Sequence, residues 1–71
     1  MERKETLKRI RIYLAMTQQQ FADYIGVSKR TIEEWESGGR SPRDYVLDLI
    51  ITKVRYDQIS ESIQLVINEI Y

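Results

Sequence analysis

The chain contains no cysteine and no histidine. That double absence removes disulfides, thiolate nucleophiles, imidazole bases and the usual zinc ligands together. No paired carboxylates converge on an evident pocket in the sequence pattern, so an enzyme would have no visible machinery, and neither a metal nor a cofactor is expected. Long apolar runs are missing too. No stretch approaches the roughly 18 residues that a membrane span needs, and the first ten residues, MERKETLKRI, are charged rather than apolar. The expectation is a cytoplasmic protein with no membrane association. Net charge is the last absence: 11 Lys and Arg balance 11 Asp and Glu, which gives no wholesale attraction to a polyanion.

What is present is unevenly placed. Residues 1–43 carry nine cations against six acids, leaving +3, and residues 44–71 return the balance at −3. A basic front with an acidic rear suits a molecule that offers one end to a polyanion; ordinary solvated surface charge accounts for the same count. With 71 residues a single domain spanning 1–71 is expected, and a chain this small buries only about 60% of the surface exposed when unfolded. Its core must be built efficiently.

Helical punctuation carries the fold. No strand signal competes, and the spacing predicts an all-α, compact bundle of about five helices. Leu7, Ile10 and Leu14 recur at i, i+3 and i+7, predicting a first helix from about Lys4 to Leu14, with Ile12 and Tyr13 broadening its apolar face. In MTQQQFADYIG, Thr17 is a good N-cap and Gln20 completes a capping box, while Met16 and Phe21 are placed as a hydrophobic staple. Phe21, Ala22 and Ile25 point inward, and Gly26 suits the left-handed C′ position that ends the second helix. After the turn Gly26-Val27-Ser28, Ser28 caps a third helix whose Ile32 and Trp35 share one side. Arg30, Glu33 and Glu34 fall on the other. Glu36 lies about 40° from Ile32, too near the apolar side for a freely solvated acid, so it needs a cationic partner inside the domain.

The fourth helix is expected to start at SPRD, with Ser41 as cap, Pro42 at the first helical position and Asp44 at the third, and to bury Tyr45, Val46, Leu49 and Ile50. Ile59, Ile63, Val66, Ile67 and Ile70 continue as a further amphipathic helix over about 57–71. No glycine or proline marks a break near Lys53 to Tyr56, so the sequence leaves open whether these two helices are separate or continuous.

The unit Thr17 to Glu36 is two helices joined by a glycine-led three-residue turn, a geometry in which the first helix braces the second for presentation. The presented face holds Lys29, Arg30, Thr31, Glu33 and Glu34. A helix offered N-terminus first fits the major groove of double-stranded DNA, where Arg forks onto guanine and Glu accepts from cytosine N4. Acids on such a face restrict sequence and weaken non-specific binding.

Residues 7–50, LKRIRIYLAMTQQQFADYIGVSKRTIEEWESGGRSPRDYVLDLI, resemble the phage-repressor and Cro-type helix-turn-helix domain, often called XRE-like. The resemblance rests on the joint pattern of Thr17-Gln18, Ala22, Gly26-Val27-Ser28, Thr31-Ile32, Trp35-Glu36, Gly38 and Pro42. It implies that Ser28, Lys29, Arg30, Thr31, Glu33 and Glu34 meet base edges or nearby backbone. It also implies that Gln18, Arg40 and Arg43 approach DNA phosphates, and that Arg11 is the structural partner of Glu36. A small transcriptional regulator acting as a homodimer is then expected, with the C-terminal helix as a possible dimer contact or, equally, as the closure of the monomer core. The competing expectation is an antitoxin or adaptor that uses the same fold to bind protein. Trp35, Ile32, Phe21 and Ile25 read as core on either view.

Overall fold

The computed structural model describes residues 3–57 and 61–70. Among these, five helices follow one another: α1 (Arg3–Tyr13), α2 (Gln18–Ile25), α3 (Lys29–Ser37), α4 (Asp44–Asp57) and α5 (Glu61–Ile70). The expected all-α bundle is present. Ile59, assigned to the last helix by its spacing, lies outside the described residues.

Every helix contributes to one core. Leu7 and Ile10 come from α1, Phe21 and Ala22 from α2, Ile32 and Trp35 from α3, with Leu47, Ile50, Ile51 and Val54 from α4 and Ile63, Ile67 and Ile70 from α5. Fully burying each of the larger side chains contributes roughly 1.5–3 kcal/mol, and a chain this short has few of them to bury. α1 packs against both α3 and α5, and α2 against α3.

Local chemistry explains the helix ends. The Gln20 amide donates to Thr17 Oγ1 at 3.1 Å and the Thr17 amide donates to Gln20 Oε1 at 2.9 Å, closing the capping box of α2. Gly26 has φ 81°, and its amide and that of Val27 both donate to the Ala22 carbonyl, at 2.9 and 3.0 Å. Gly38, φ 85°, ends α3 in the same left-handed conformation. α1 ends without a glycine. Ala15 takes φ 57°, and the Met16 amide reaches back to the Arg11 carbonyl at 3.2 Å, so an alanine occupies a position where glycine is the unstrained choice.

Three sequence expectations change. Ile12 and Tyr13 are 58% and 43% exposed and do not widen the apolar face of α1, which needs only Leu7, Ile10 and the half-buried Leu14. α4 begins at Asp44, with Pro42 in the preceding loop; the Leu47 amide donates to the Arg43 carbonyl at 3.0 Å, placing Arg43 rather than Ser41 at the cap position. The buried face of α4 is Leu47, Ile50, Ile51 and Val54, while Tyr45 and Leu49 are 63% and 64% exposed and Val46 is half-buried. The stretch YVLDLIITKV is apolar at nearly every phase, so periodicity alone could not select the face; packing into the shared core, against α5 among others, did. Ile63, Ile67 and Ile70 of α5 close the core of the single chain, which removes them as a free dimer surface.

Candidate nucleic-acid interface

α3 is seated by Ile32 and Trp35, which are 1% and 9% exposed. The opposite face is open: Ser28, Lys29, Arg30 and Glu33 are exposed, and Thr31 and Glu34 are half-buried. Ser28 is committed to capping. Its Oγ accepts from the Thr31 amide at 3.1 Å and shares a hydrogen bond with Thr31 Oγ1 at 2.9 Å, so both hydroxyls stand at the tip of the helix, pre-oriented by one another.

The orientation of α3 is fixed from behind. Arg11 Nε donates to Glu36 Oε2 at 2.7 Å and Arg11 Nη2 donates to Glu36 Oε1 at 3.0 Å, a bidentate pair with the two side chains only 15% and 8% exposed. Arg11 Nη1 donates to the Met16 carbonyl at 3.0 Å, and Gln18 Nε2 donates to Glu36 Oε1 at 3.2 Å. The Arg11–Glu36 pair therefore joins the end of α1, the α1–α2 turn, the start of α2 and the end of α3. Gln18, expected at a phosphate, spends one amide hydrogen on Glu36; its backbone amide at the first turn of α2 stays among those with no intrahelical partner.

A second tie fastens α2 to the end of α4. The Tyr24 hydroxyl donates to Asp57 Oδ2 at 2.7 Å, Lys53 Nζ stands 3.2 Å from the same oxygen, and Lys53 lies 4.7 Å from the centre of the Tyr24 ring. The Tyr24 hydrogen bond, with Lys53 beside it, holds the Asp57 carboxyl below the ordinary aspartate range. Tyr24 and Asp57 are separated by 33 positions, and nothing in the local pattern of either signals the contact.

Charge at the helix starts differs across the molecule. α1 and α4 carry an acid in the first turn, Glu5 and Asp44, as helix dipoles favour. α2 and α3 carry none, and α3 begins with Lys29 and Arg30. Cations at a positive helix end cost about 0.3–1 kcal/mol each, so the Ser28 cap alone offsets the positive end of α3 and no acid of its first turn does. Arg40 and Arg43, both exposed, border a groove of about 270 Å³ between α3 and α4 that Thr31, Glu34 and the exposed Tyr45 also line, over Trp35 and Pro42. Arg43 sits at the cap position of α4, its carbonyl accepting from the Leu47 amide. Tyr45, expected in the core, belongs to this groove.

The structure thus brings Ser28 to Thr31, Gln18 to Glu36, and Arg30 and Arg40 to a shared Glu34, with Arg30 Nε 3.2 Å and Arg40 Nη1 3.5 Å from its two oxygens. Lys29, Glu33 and Arg43 stand exposed. Among the described residues no group of His, Cys, Asp and Glu is arranged to hold a metal ion, and no helix is long and apolar enough to cross a membrane.

Comparison with known proteins agrees with the geometry at the level of family. A family model described as helix-turn-helix matches residues 7–54, more than half of the chain. No curated protein and no solved structure matches it. The matched family is of the DNA-binding, transcription-regulator type and is not a family of enzymes. The chain belongs to the XRE-type helix-turn-helix family.

Proposed function

We propose that this domain reads double-stranded DNA in a sequence-specific manner, laying α3 into the major groove N-terminus first as the DNA-reading part of a small cytoplasmic transcriptional regulator. The observation that carries the reading is the division of α3: Ile32 and Trp35 buried, Lys29 and Arg30 open on the far side. Arg30, Lys29, Thr31, Ser28, Glu33 and Glu34 then face base edges, and Arg40, Arg43 and the start of α2 at Gln18 face phosphates. Two-fold binding, with half-sites about 34 Å apart, is part of the proposal on the strength of the family resemblance. Its contact uses surface other than the buried Ile63, Ile67 and Ile70.

Selection of bound sequences from a random duplex pool tests this. The wild type is expected to enrich a motif, and Arg30→Ala to lose preference at one or two base positions, at about 1–3 kcal/mol for a bidentate contact. Replacing Arg43 should lower affinity for all sequences alike. Failure of the wild type to enrich any motif at modest salt would overturn the proposal.

A second reading, a protein-docking module of the antitoxin or adaptor kind, draws on one observation: Tyr45 and Leu49 are exposed one turn apart on α4. On that reading Leu49→Glu abolishes partner capture and leaves duplex binding unchanged.

A further inference from the structure

Glu34 is the member of the interface whose chemistry opposes its surroundings. One oxygen accepts from Arg30 Nε at 3.2 Å, and the other stands 3.5 Å from Arg40 Nη1. The two arginine side chains are otherwise in water, 86% and 76% exposed, against 30% for the carboxylate between them. The bridge is supported by main chain as well. The Arg40 amide donates to the Glu34 carbonyl at 3.3 Å, and Ser37 Oγ donates to the same carbonyl at 3.1 Å. The loop after α3 is thereby folded back so that Arg40 arrives beside the Glu34 side chain. Two of the four exposed cations on the DNA-facing side, Arg30 and Arg40 out of Lys29, Arg30, Arg40 and Arg43, share this single acid.

We propose that Glu34 is a specificity-determining residue that works as an internal competitor for DNA. In the free domain its carboxylate occupies Arg30 and Arg40, which lowers affinity for every duplex by the same factor. The loss is made good only where the apposed base offers an amino group to the carboxylate. Cytosine N4 and adenine N6 do so in the major groove; guanine O6 and N7 and thymine O4 are acceptors and repel it. Exposed ion pairs are individually weak, so the bridge opens readily, and its effect is a bias against non-specific binding rather than a lock. This rests on the DNA-binding reading above and adds to it the means by which a domain of zero formal charge discriminates against bulk DNA.

The test compares wild type, Glu34→Gln and Glu33→Gln by fluorescence anisotropy on a labelled scrambled duplex and on the duplex enriched from the pool, between about 50 and 200 mM salt. Glu33→Gln deletes the same charge one position away, and among the described residues Glu33 pairs with no cation. Glu34→Gln is expected to bind the scrambled duplex about 3- to 20-fold tighter, with a salt slope steeper by about one to two, and to accept guanine or thymine at the apposed position. Glu33→Gln should show less than half of each effect. In an Arg40→Gln background the gain from Glu34→Gln should shrink by at least half, since one captive is already gone. Binding of the scrambled duplex by Glu34→Gln where the wild type shows none would also support the bridge. Equal effects of the two glutamate variants, an unchanged slope, or an undiminished gain in the Arg40→Gln background would overturn it while leaving motif enrichment by the wild type intact. Absence of duplex binding in both wild type and Glu34→Gln would end this inference and the DNA reading together.

Discussion

α1 to α3 are tied to one another by directional bonds, whereas α4 and α5 are joined chiefly by apolar burial. At the front, Arg11, Gln18, Glu36 and the Met16 carbonyl form one network of four hydrogen bonds between 2.7 and 3.2 Å. At the rear, Leu47, Ile51, Val54, Ile63, Ile67 and Ile70 share one apolar cluster, and the polar links are fewer: Arg55 Nη2 donates to Asn68 Oδ1 at 2.9 Å and Gln64 Nε2 to the Arg55 carbonyl at 3.4 Å, while buried Arg55 Nε has no acceptor among the described residues. Apolar attraction is non-directional, so it holds helices together without fixing their angle. A bidentate guanidinium–carboxylate pair fixes angle as well as distance. α3 is the helix held by such a pair, which is the arrangement the proposed DNA reading requires, given the sub-ångström tolerance of recognition sites.

This contrast can be broken by mutation. Ile67→Ala, at a site with no exposure, is expected to cost about 2–5 kcal/mol in chemical denaturation, with the affinity of the remaining folded protein for DNA unchanged. Arg11→Ala should cost about 3 kcal/mol by leaving Glu36 with a partly buried, unmatched charge, and in addition should weaken DNA binding measured on fully folded protein at low temperature. If the Ile67 variant lost affinity as severely as the Arg11 variant, the division between an aimed half and a packed half would fall. Smaller effects sharpen it at the turns. Gly26→Ala meets no atom within 4 Å of the new Cβ yet must hold φ 81°, so a loss of about 1 kcal/mol from backbone strain alone is expected. Ala15→Gly, which relieves φ 57°, should gain about 0.5 kcal/mol, and thermal melts would rank the pair.

Acid titration gives the smallest effect. Because the Tyr24 hydroxyl and then Lys53 lower the Asp57 carboxyl, its contribution is fully present above the ordinary aspartate range and disappears as pH falls through the lowered value, below about pH 4. Asp57→Asn should therefore flatten the acid limb of a melting-temperature profile and leave the neutral region nearly unchanged. A profile that keeps its acid limb would remove the link between α2 and α4.

The same contrast decided what could be read in advance. Thr17 with Gln20, Ser28, and Gly26 each solve a backbone hydrogen-bond or φ problem within a few residues, so their roles are written locally. The helical wheel required a partner for Glu36 but could not say which cation, since Arg11 lies 25 positions away; only the family resemblance pointed to it. α4 resisted because Val46, Leu47, Leu49, Ile50 and Ile51 are all apolar, and the choice among faces depends on α5. The end of α1 at Ala15 was hidden because alanine gives no sign of a left-handed residue. The Glu34 bridge depends on where a loop returns, which no helical period encodes.

The resemblance to the family ends at residue 54, yet burial continues to Ile70, with α5 lying against α1 and α4. Anyone grafting this helix-turn-helix domain onto another protein would have to carry the last segment along. Cut after Val54, the module would lose Ile63, Ile67 and Ile70 from its core, and with them the cover that α5 gives to α1 and α4. The portable unit is therefore longer than the part that defines its kinship.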